Sequence, residues 1–533
     1  MTKIWRFIDS HGDLGMLMEG TAFIFKEYDQ WLHTLSLFCM SFSHLLIVMD
    51  IDELYEGNVL STGDLARIVK FVAPLVFKFY LNESYLKDFF YKYLCEVTAK
   101  LLRTLNDFNS KRQFIDVNYF HIDSNSLANL LDGLWNQKAF ATHLIQTIPF
   151  AVPFDERVQI FRDMVRHDAD QYRFVAPIQM EVRRTHIFED GFAGLLGRTD
   201  LKRRIHVYFI NEGGRREEGM DAGGLFKEFW TQLSAETFNP DYGLFRTTPD
   251  HHLYPNPQSE LFHGGVHLDY FKFLGFILGK AIYESILVEP CFADFFLRKL
   301  LGKFNFANDL RSLDPELHNH LQSLKKMEDV EMLYLTFSTT LEGSTEEVDL
   351  VPNGRDVEVD NDNKFRYIHA LSHFRLNKQI EQQCTAFLRG FLSIINRTWL
   401  EMFNERELQM LISGANLTIN VQDLYDHTEY SGGYSKSSKQ IRNFWQAVES
   451  LTEKEKGGLL KFVTSCSRPP LLGFKYLNPS LKIHKVPIKK DGDLLPSAST
   501  CFNILYLPTY SSTKATLEKL RMAIHSGAGF EME

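Results

Sequence analysis

Apolar residues recurring at three- and four-residue steps constrain the first third of this chain more than any other feature. Leu86, Phe89, Phe90, Tyr93, Leu94, Val97, Leu101 and Leu105 fall on one face of a 3.6-residue helix. Similar amphipathic runs cover residues 64–81, 125–145 and 155–166, so the spacing predicts an all-helical region from the start to about residue 180. No repeat of fixed period is visible, which favours an irregular helical array, with stacked helix pairs as one compatible form. A structural extension supporting the rest of the chain is the plainest role for such a region.

Around residue 200 the period changes. Ile205, Val207 and Phe209 alternate with polar neighbours as a half-buried strand does, and Asn211-Glu-Gly-Gly-Arg215 ends that strand. Helices are predicted over 268–286, 378–394 and 405–413, with short strands between them. The acidic, turn-rich stretch 340–364 reads as exposed loops and hairpins. Gly414-Ala-Asn-Leu-Thr-Ile-Asn420 combines a glycine helix stop with an unpatterned link, the signature of a hinge between two lobes. The remainder is mixed. Cys501-Phe-Asn-Ile-Leu-Tyr-Leu507 is a predicted strand stopped by Pro508, and Leu517, Leu520 and Ile524 mark a final helix ending at Gly527. The fold class predicted is α+β.

Composition removes several function classes. A length of 533 residues allows roughly three or four compact units. A formal charge of -10 lacks the cationic surplus that phosphate binding needs, so nucleic acid is not expected as a partner. The six cysteines, Cys39, Cys95, Cys291, Cys384, Cys466 and Cys501, contain no Cys-x-x-Cys pair, which argues against a disulfide framework or a zinc site and for a reducing compartment. The first residues carry no apolar core leading to a small-residue cleavage site, so secretion is not expected, and the sequons at Asn82, Asn396 and Asn416 are read as chance. The most membrane-like stretch, 32–49, is broken by His33, Thr34, Ser36, Ser41, Ser43 and His44, and is read as a buried core helix with no membrane partner. The large phenylalanine content favours broad packed interfaces.

Familiar site patterns fail at their central residue. Gly214-Arg-Arg-Glu-Glu-Gly219 has phosphate-loop spacing, but Met220-Asp221 stand where Lys and Ser/Thr are required. Asp360-Asn-Asp-Asn-Lys364 begins like a calcium loop, yet Phe365 takes the glycine position and Leu371 that of the bidentate Glu. His263-Gly-Gly265 resembles an oxyanion loop with no Gly-x-Ser-x-Gly to serve, and no His-Glu-x-x-His occurs. Cysteine chemistry is what remains. Cys39, Cys95 and Cys384 lie on predicted helical faces and read as packing residues. Cys501 differs, because the small-residue loop Pro496-Ser-Ala-Ser-Thr500 leads into its strand and a loop end can expose a sulfur over a fixed backbone. Taken alone, these residues leave an inert thiol open as well as a thiolate nucleophile.

Leu495-Pro-Ser-Ala-Ser-Thr-Cys-Phe-Asn-Ile-Leu-Tyr-Leu-Pro-Thr-Tyr510 resembles the active-site signature of the HECT ubiquitin ligases, with Leu-Pro, a short loop, Thr-Cys, Asn two residues on and Leu-Pro. The likeness continues through Glu218-Gly-Met-Asp-Ala-Gly-Gly-Leu-Phe-Lys-Glu-Phe229, Asn239-Pro-Asp-Tyr-Gly-Leu-Phe245, the glycines around Gly279-Lys-Ala-Ile-Tyr283, Gln383 with Gly390-Phe391, Thr428 with Tyr430, and Arg468 to Phe474. It covers about residue 180 to 533. Two departures stand out: Ser499 occupies a position where many members carry His, and Thr464-Ser-Cys466 stands where many read Thr-Gly. The run from Thr464 to Phe474 is most similar to the subgroup of these ligases associated with the proteasome.

The resemblance implies a helical N-terminal region over 1–180, a large lobe over 181–414 with a subdomain at about 290–350 that grips a ubiquitin-conjugating enzyme, a hinge at 415–420, and a small lobe over 421–533 carrying the catalytic cysteine. It implies that Cys501 accepts ubiquitin as a thioester and passes it to lysine amines of protein substrates or of ubiquitin, with no cofactor or metal and the proteasome as a further partner, in the cytoplasm or nucleus. Thr500 and Asn503 are candidates for orienting the tetrahedral intermediate, with ordinary loop hydrogen bonding as their other reading. Phe530 matches a family aromatic used in ligation. Leu324, Met327, Tyr334 and Phe337 are candidate contacts for the conjugating enzyme, with core packing an equal reading for each. An inactive helical scaffold or adaptor and a cysteine hydrolase are the competing readings.

Overall fold

The computed structural model describes residues 2–11, 26–49, 53, 60–82, 89–136, 138–211, 213–217, 224–341, 346–414, 418–464, 466–477, 479–491, 493–500 and 502–526. Cys501, Phe530, the hinge residues 415–417 and the run 218–223 therefore lie outside the described residues.

Local chemistry starts the first helices where the pattern predicts. Ser61 Oγ accepts the Asp64 amide at 3.1 Å while Asp64 Oδ2 accepts the Ser61 amide at 3.1 Å, so two orphan donors at the helix start are satisfied reciprocally. Helices α1 (Lys26–Val48), α2 (Thr62–Leu81) and α3 (Phe89–Lys111) then bury their apolar faces. Leu32, Leu35, Phe38, Cys39, Phe42 and Leu46 of α1 are buried, with Leu94, Cys95, Leu101 and Leu105 of α3. Among the described residues α1 alone has a stretch, 31–48, long and apolar enough to cross a membrane, and half of that stretch is buried in the fold. This compact unit takes in residues 1–161 together with 398–404. The short return segment is held by Arg157, whose Nη1 donates to the Met402 carbonyl at 2.6 Å, and by Phe403 packing edge-on against Phe154 and Phe161.

The second unit comprises residues 162–397 and 405–533. It opens, at the boundary of the helical first 180 residues, with a strand that the sequence reading did not include. Strand β1 (Ile178–Arg183) pairs in parallel with β2 (Ile205–Ile210) across an intervening helix, Ile187–Leu195, as a right-sized βαβ crossover. Ile178, Met180 and Val182 point inward and Gln179, Glu181 and Arg183 outward, a period of two that is easily lost in six residues. Short hairpins β3 (Phe245–Thr247) with β4 (Leu253–Pro255) and β5 (Ser338–Thr340) with β6 (Glu347–Asp349) follow, the second running into the acidic stretch read as loops and hairpins.

Helices α4 (Gly224–Thr237), α5 (His267–Tyr283), α6 (Glu381–Phe391) and α7 (Glu405–Ser413) build the centre of this unit. The phenylalanine content is used here. Phe245 sits 5.8 to 6.3 Å, ring to ring, from Phe271, Phe292, Phe296 and Phe387. Glycines set the approach of α5 to α6. A Cβ on Gly275 would lie 1.9 Å from the Phe387 carbonyl oxygen, and one on Gly390 would lie 1.8 Å from that of Lys272. Backbones can meet this closely only where both faces lack side chains.

Gly414 ends α7 as the glycine stop predicts, at φ +82 with its amide donating to the Met410 carbonyl at 2.9 Å. Beyond it a separate group of buried residues, from Ile419 to Ala523 and including Phe444, Trp445, Ile483, Leu505 and Tyr510, forms a core of its own. It lies under a four-stranded sheet in the order β7-β8-β10-β9, where β7 (Glu429–Ser431), β8 (Lys482–Val486) and β10 (Ile504–Pro508) run parallel and β9 (Ser497–Ser499) runs antiparallel to β10. Helices Lys439–Glu449, Glu453–Thr464 and Thr513–Ser526 complete it.

Candidate active site at the cysteine hairpin

Strands β9 and β10 form a hairpin with Ser499 opposite Ile504, so residues 500–503 are its connection and position 501 lies within that connection. The loop has an identifiable architecture. Asn503 sits at φ +52, a conformation asparagine tolerates better than most residues, and is fully buried. Its Nδ2 donates to the Pro479 carbonyl at 2.5 Å and its own carbonyl accepts the Lys482 amide at 2.9 Å. Its Oδ1 accepts from Lys227 Nζ of α4 at 2.7 Å. The same ammonium lies 3.5 Å from the carbonyl oxygen of Thr500. Asn503 thus spends both ends of its amide on holding the loop. Phe502 on the other side of position 501 is exposed.

Lys227 lies in the Glu218–Phe229 run that carries part of the resemblance, but nothing in the sequence pairs it with the cysteine loop. It lies 276 residues from Asn503, and only the tertiary fold brings them together. Further bonds join the same parts of the unit. Arg468 Nη1 donates to Ser413 Oγ at 2.6 Å and its Nη2 to Cys291 Sγ at 3.3 Å, while Lys461 pairs with Glu289 at 2.8 Å on the surface.

Cys39, Cys95 and Cys384 are placed as packing residues, as expected, and so is Cys466. Cys39, Cys95, Cys384 and Cys466 are buried and unpaired by disulfides, and Cys291 is partly exposed. Burial pushes the thiols of Cys95 and Cys384 up to about 12, and those of Cys39 and Cys466 also up, so none is poised as a thiolate near neutral pH.

The four candidate contacts of the 290–350 region divide by burial. Leu324 and Phe337 are core residues; the Phe337 ring meets Tyr367 edge-on at 5.5 Å and the Arg366 guanidinium covers it at 5.6 Å. Met327 and Tyr334 face solvent, Tyr334 being 90% exposed. Tyr334 also holds φ +50, a left-handed conformation costing a bulky residue roughly 1 kcal/mol. Met332 and Leu333 beside it, and Phe365 at the start of the Lys364–His373 helix, are exposed too. Lys364 Nζ donates to the Met327 carbonyl at 2.5 Å and so ties that helix to this loop. Met332, Leu333 and Phe365 carried no motif; a run of apolar residues ending in an acidic turn was the only available signal.

A small α/β lobe with a four-stranded sheet follows a mostly helical one, and the connection between β9 and β10 spans position 501. The family model of the HECT-domain (ubiquitin-transferase) matches residues 231–533, more than half of the chain. Similar proteins include the E3 ubiquitin-protein ligase UPL6 of Arabidopsis thaliana, 38% identical over 96% of this chain and 52% of its own length. Ubiquitin-protein ligase E3B of Homo sapiens is 35% identical over 100% of this chain and 54% of its own, and E3 ubiquitin-protein ligase HUL5 of Saccharomyces cerevisiae is 38% identical over 73% and 45%. The chain spans about half the length of these relatives. It belongs to the HECT-domain family.

Proposed function

We propose that this protein is a ubiquitin ligase that carries ubiquitin on Cys501. The observation that carries the reading is the hairpin loop at 500–503, held from both sides through Asn503, in the segment matched to the family's transferase domain. The Cys501 thiolate attacks the thioester carbonyl on a conjugating enzyme; a new C–S bond forms, the old one breaks, and the departing thiolate takes up a proton. This exchange is nearly balanced in energy and depends on positioning. A neutral lysine amine of a substrate or of ubiquitin then attacks, the C–S bond breaks, an amide forms and the amine gives up its proton to a base. Residues 181–414 serve as the large lobe, 415–420 as the hinge and 421–533 as the small lobe.

Met327, Met332, Leu333, Tyr334 and Phe365 supply the apolar surface for the conjugating enzyme, since a strained, exposed aromatic among other exposed apolar side chains suits partner binding. Tyr334→Ala is expected to weaken the conjugating enzyme's apparent affinity about tenfold, near 1.4 kcal/mol, with thermal stability unchanged. Phe337→Ala is expected to destabilise the fold by about 3 kcal/mol instead. Charging titrations and melting curves on the two variants check this pair, and equal melting losses would remove the division. Phe530→Ala is expected to leave charging near wild type and slow amide formation, read in pulse-chase; equal loss of both steps counts against a ligation role for this aromatic.

The Thr464 to Phe474 run supports the proteasome as a partner and proteasomal degradation as the fate of substrates. Five cysteines forming no disulfide among the described residues suit a reducing compartment, cytoplasm or nucleus. Incubation of the chain with activating enzyme, conjugating enzyme, ubiquitin and ATP tests the central claim. A reductant-sensitive ubiquitin adduct is expected, and its absence with every competent conjugating enzyme would overturn the reading.

A further inference from the structure

Among the described residues, Lys227 reaches from the large lobe to the cysteine hairpin. It projects from the first turn of α4, and its partly buried ammonium donates to Asn503 Oδ1 at 2.7 Å with the Thr500 carbonyl oxygen 3.5 Å away. Thr500 immediately precedes Cys501. Asn503 is anchored on its far side to Pro479 and is buried with left-handed backbone, so a pull on its amide acts on the loop rather than on a free side chain. The neighbouring Glu228 pairs with Arg184 at 2.7 Å. A charge-assisted bond of this kind is stronger than a neutral one and fixes direction as well as distance.

Resting on the ligase reading above, we infer that Lys227 is a positioning residue for the second transfer. From the large lobe it latches the cysteine loop through Asn503 while ubiquitin passes to the acceptor amine. The two transfers make different demands. Exchange of one thioester for another is oriented by the docked conjugating enzyme. Amine attack builds negative charge on the thioester carbonyl oxygen next to the Cys501 sulfur, and it gains from a loop held still with a fixed cation one peptide away. Swinging the small lobe on its hinge breaks the bond, so the latch belongs to one lobe arrangement.

The test uses the full chain in single turnover. Charging by a conjugating enzyme is timed, and discharge of the isolated thioester to free lysine is timed separately. Lys227→Met, which keeps the stem and removes the charge, is expected to slow discharge about tenfold while charging changes less than about twofold. Lys227→Arg, which keeps a cation, is expected to recover at least about half of the lost rate constant on a logarithmic scale. In an Asn503→Ala background, Lys227→Met is expected to add less than about twofold, because both act through one bond. Discharge by Lys227→Met within twofold of wild type, or equal slowing of charging and discharge, overturns the latch. A wild-type chain that never charges removes the ligase reading itself, which is a different result from a charged wild type indifferent to Lys227.

Discussion

Cys501→Ser is expected to abolish the reductant-sensitive ubiquitin adduct and to lower substrate ubiquitination by at least about 10³-fold. The serine hydroxyl is a far weaker nucleophile at neutral pH, so any adduct that forms is an oxyester, stable to thiols and cleaved by hydroxylamine or mild alkali. Gel mobility with and without reductant separates the two esters. Burial raises the thiols of Cys39, Cys95, Cys384 and Cys466, which disfavours the thiolate each would need to stand in for Cys501. A scaffold that merely binds partners would be indifferent to the change, and a hydrolase would lose cleavage of small esters without ever having formed a ubiquitin thioester. Persistence of a thiol-sensitive adduct in Cys501→Ser would place the acceptor elsewhere and end the mechanism.

Gly275→Val is expected to cost upwards of about 3 kcal/mol of stability in the second unit, read as a lowered urea midpoint. The obstacle is backbone. Even a first carbon on Gly275 meets the Phe387 carbonyl oxygen at 1.9 Å and the Phe391 nitrogen at 2.9 Å, and neither can rotate away as a side chain would. The helices α5 and α6 must separate, which opens the phenylalanine cluster through Phe387, 5.2 Å from Phe296 and 6.3 Å from Phe245. Activity should fall with the folded fraction, in contrast to Cys501→Ser, which should melt as wild type. An unchanged urea midpoint would mean that the two helices do not cross at these glycines.

The helices were legible because their signal repeats within a few residues. The predicted stretches 268–286, 378–394 and 405–413 correspond to α5, α6 and α7, and the glycine stop at Gly414 has the left-handed backbone that stop requires. Strand β1 was missed for the opposite reason. Its three inward residues, Ile178, Met180 and Val182, are too few to establish a period, and parallel pairing with β2 across more than twenty residues decides it. Burial in the 290–350 region was equally unreadable. Phe337 and Tyr334 are aromatics three residues apart, yet one is enclosed by Tyr367, Arg366 and Gly354 and the other faces solvent.

What this chain's residues determined unaided is the chemistry available and the elements that carry it: a helical region, a small-residue loop leading into a strand, and a thiol between them. These are local properties, set by spacing, turn residues and side-chain reactivity over a handful of positions. That Ser497–Ser499 is itself a strand, paired with one starting only at Ile504, is a correction made by the fold. The tertiary structure decided which large-lobe side chain meets that turn and which aromatics are left for a partner. The pairing of Lys227 with Asn503 and the packing of Phe337 against Tyr367 depend on how distant segments come to rest, and no residue's neighbours in the chain carry that information.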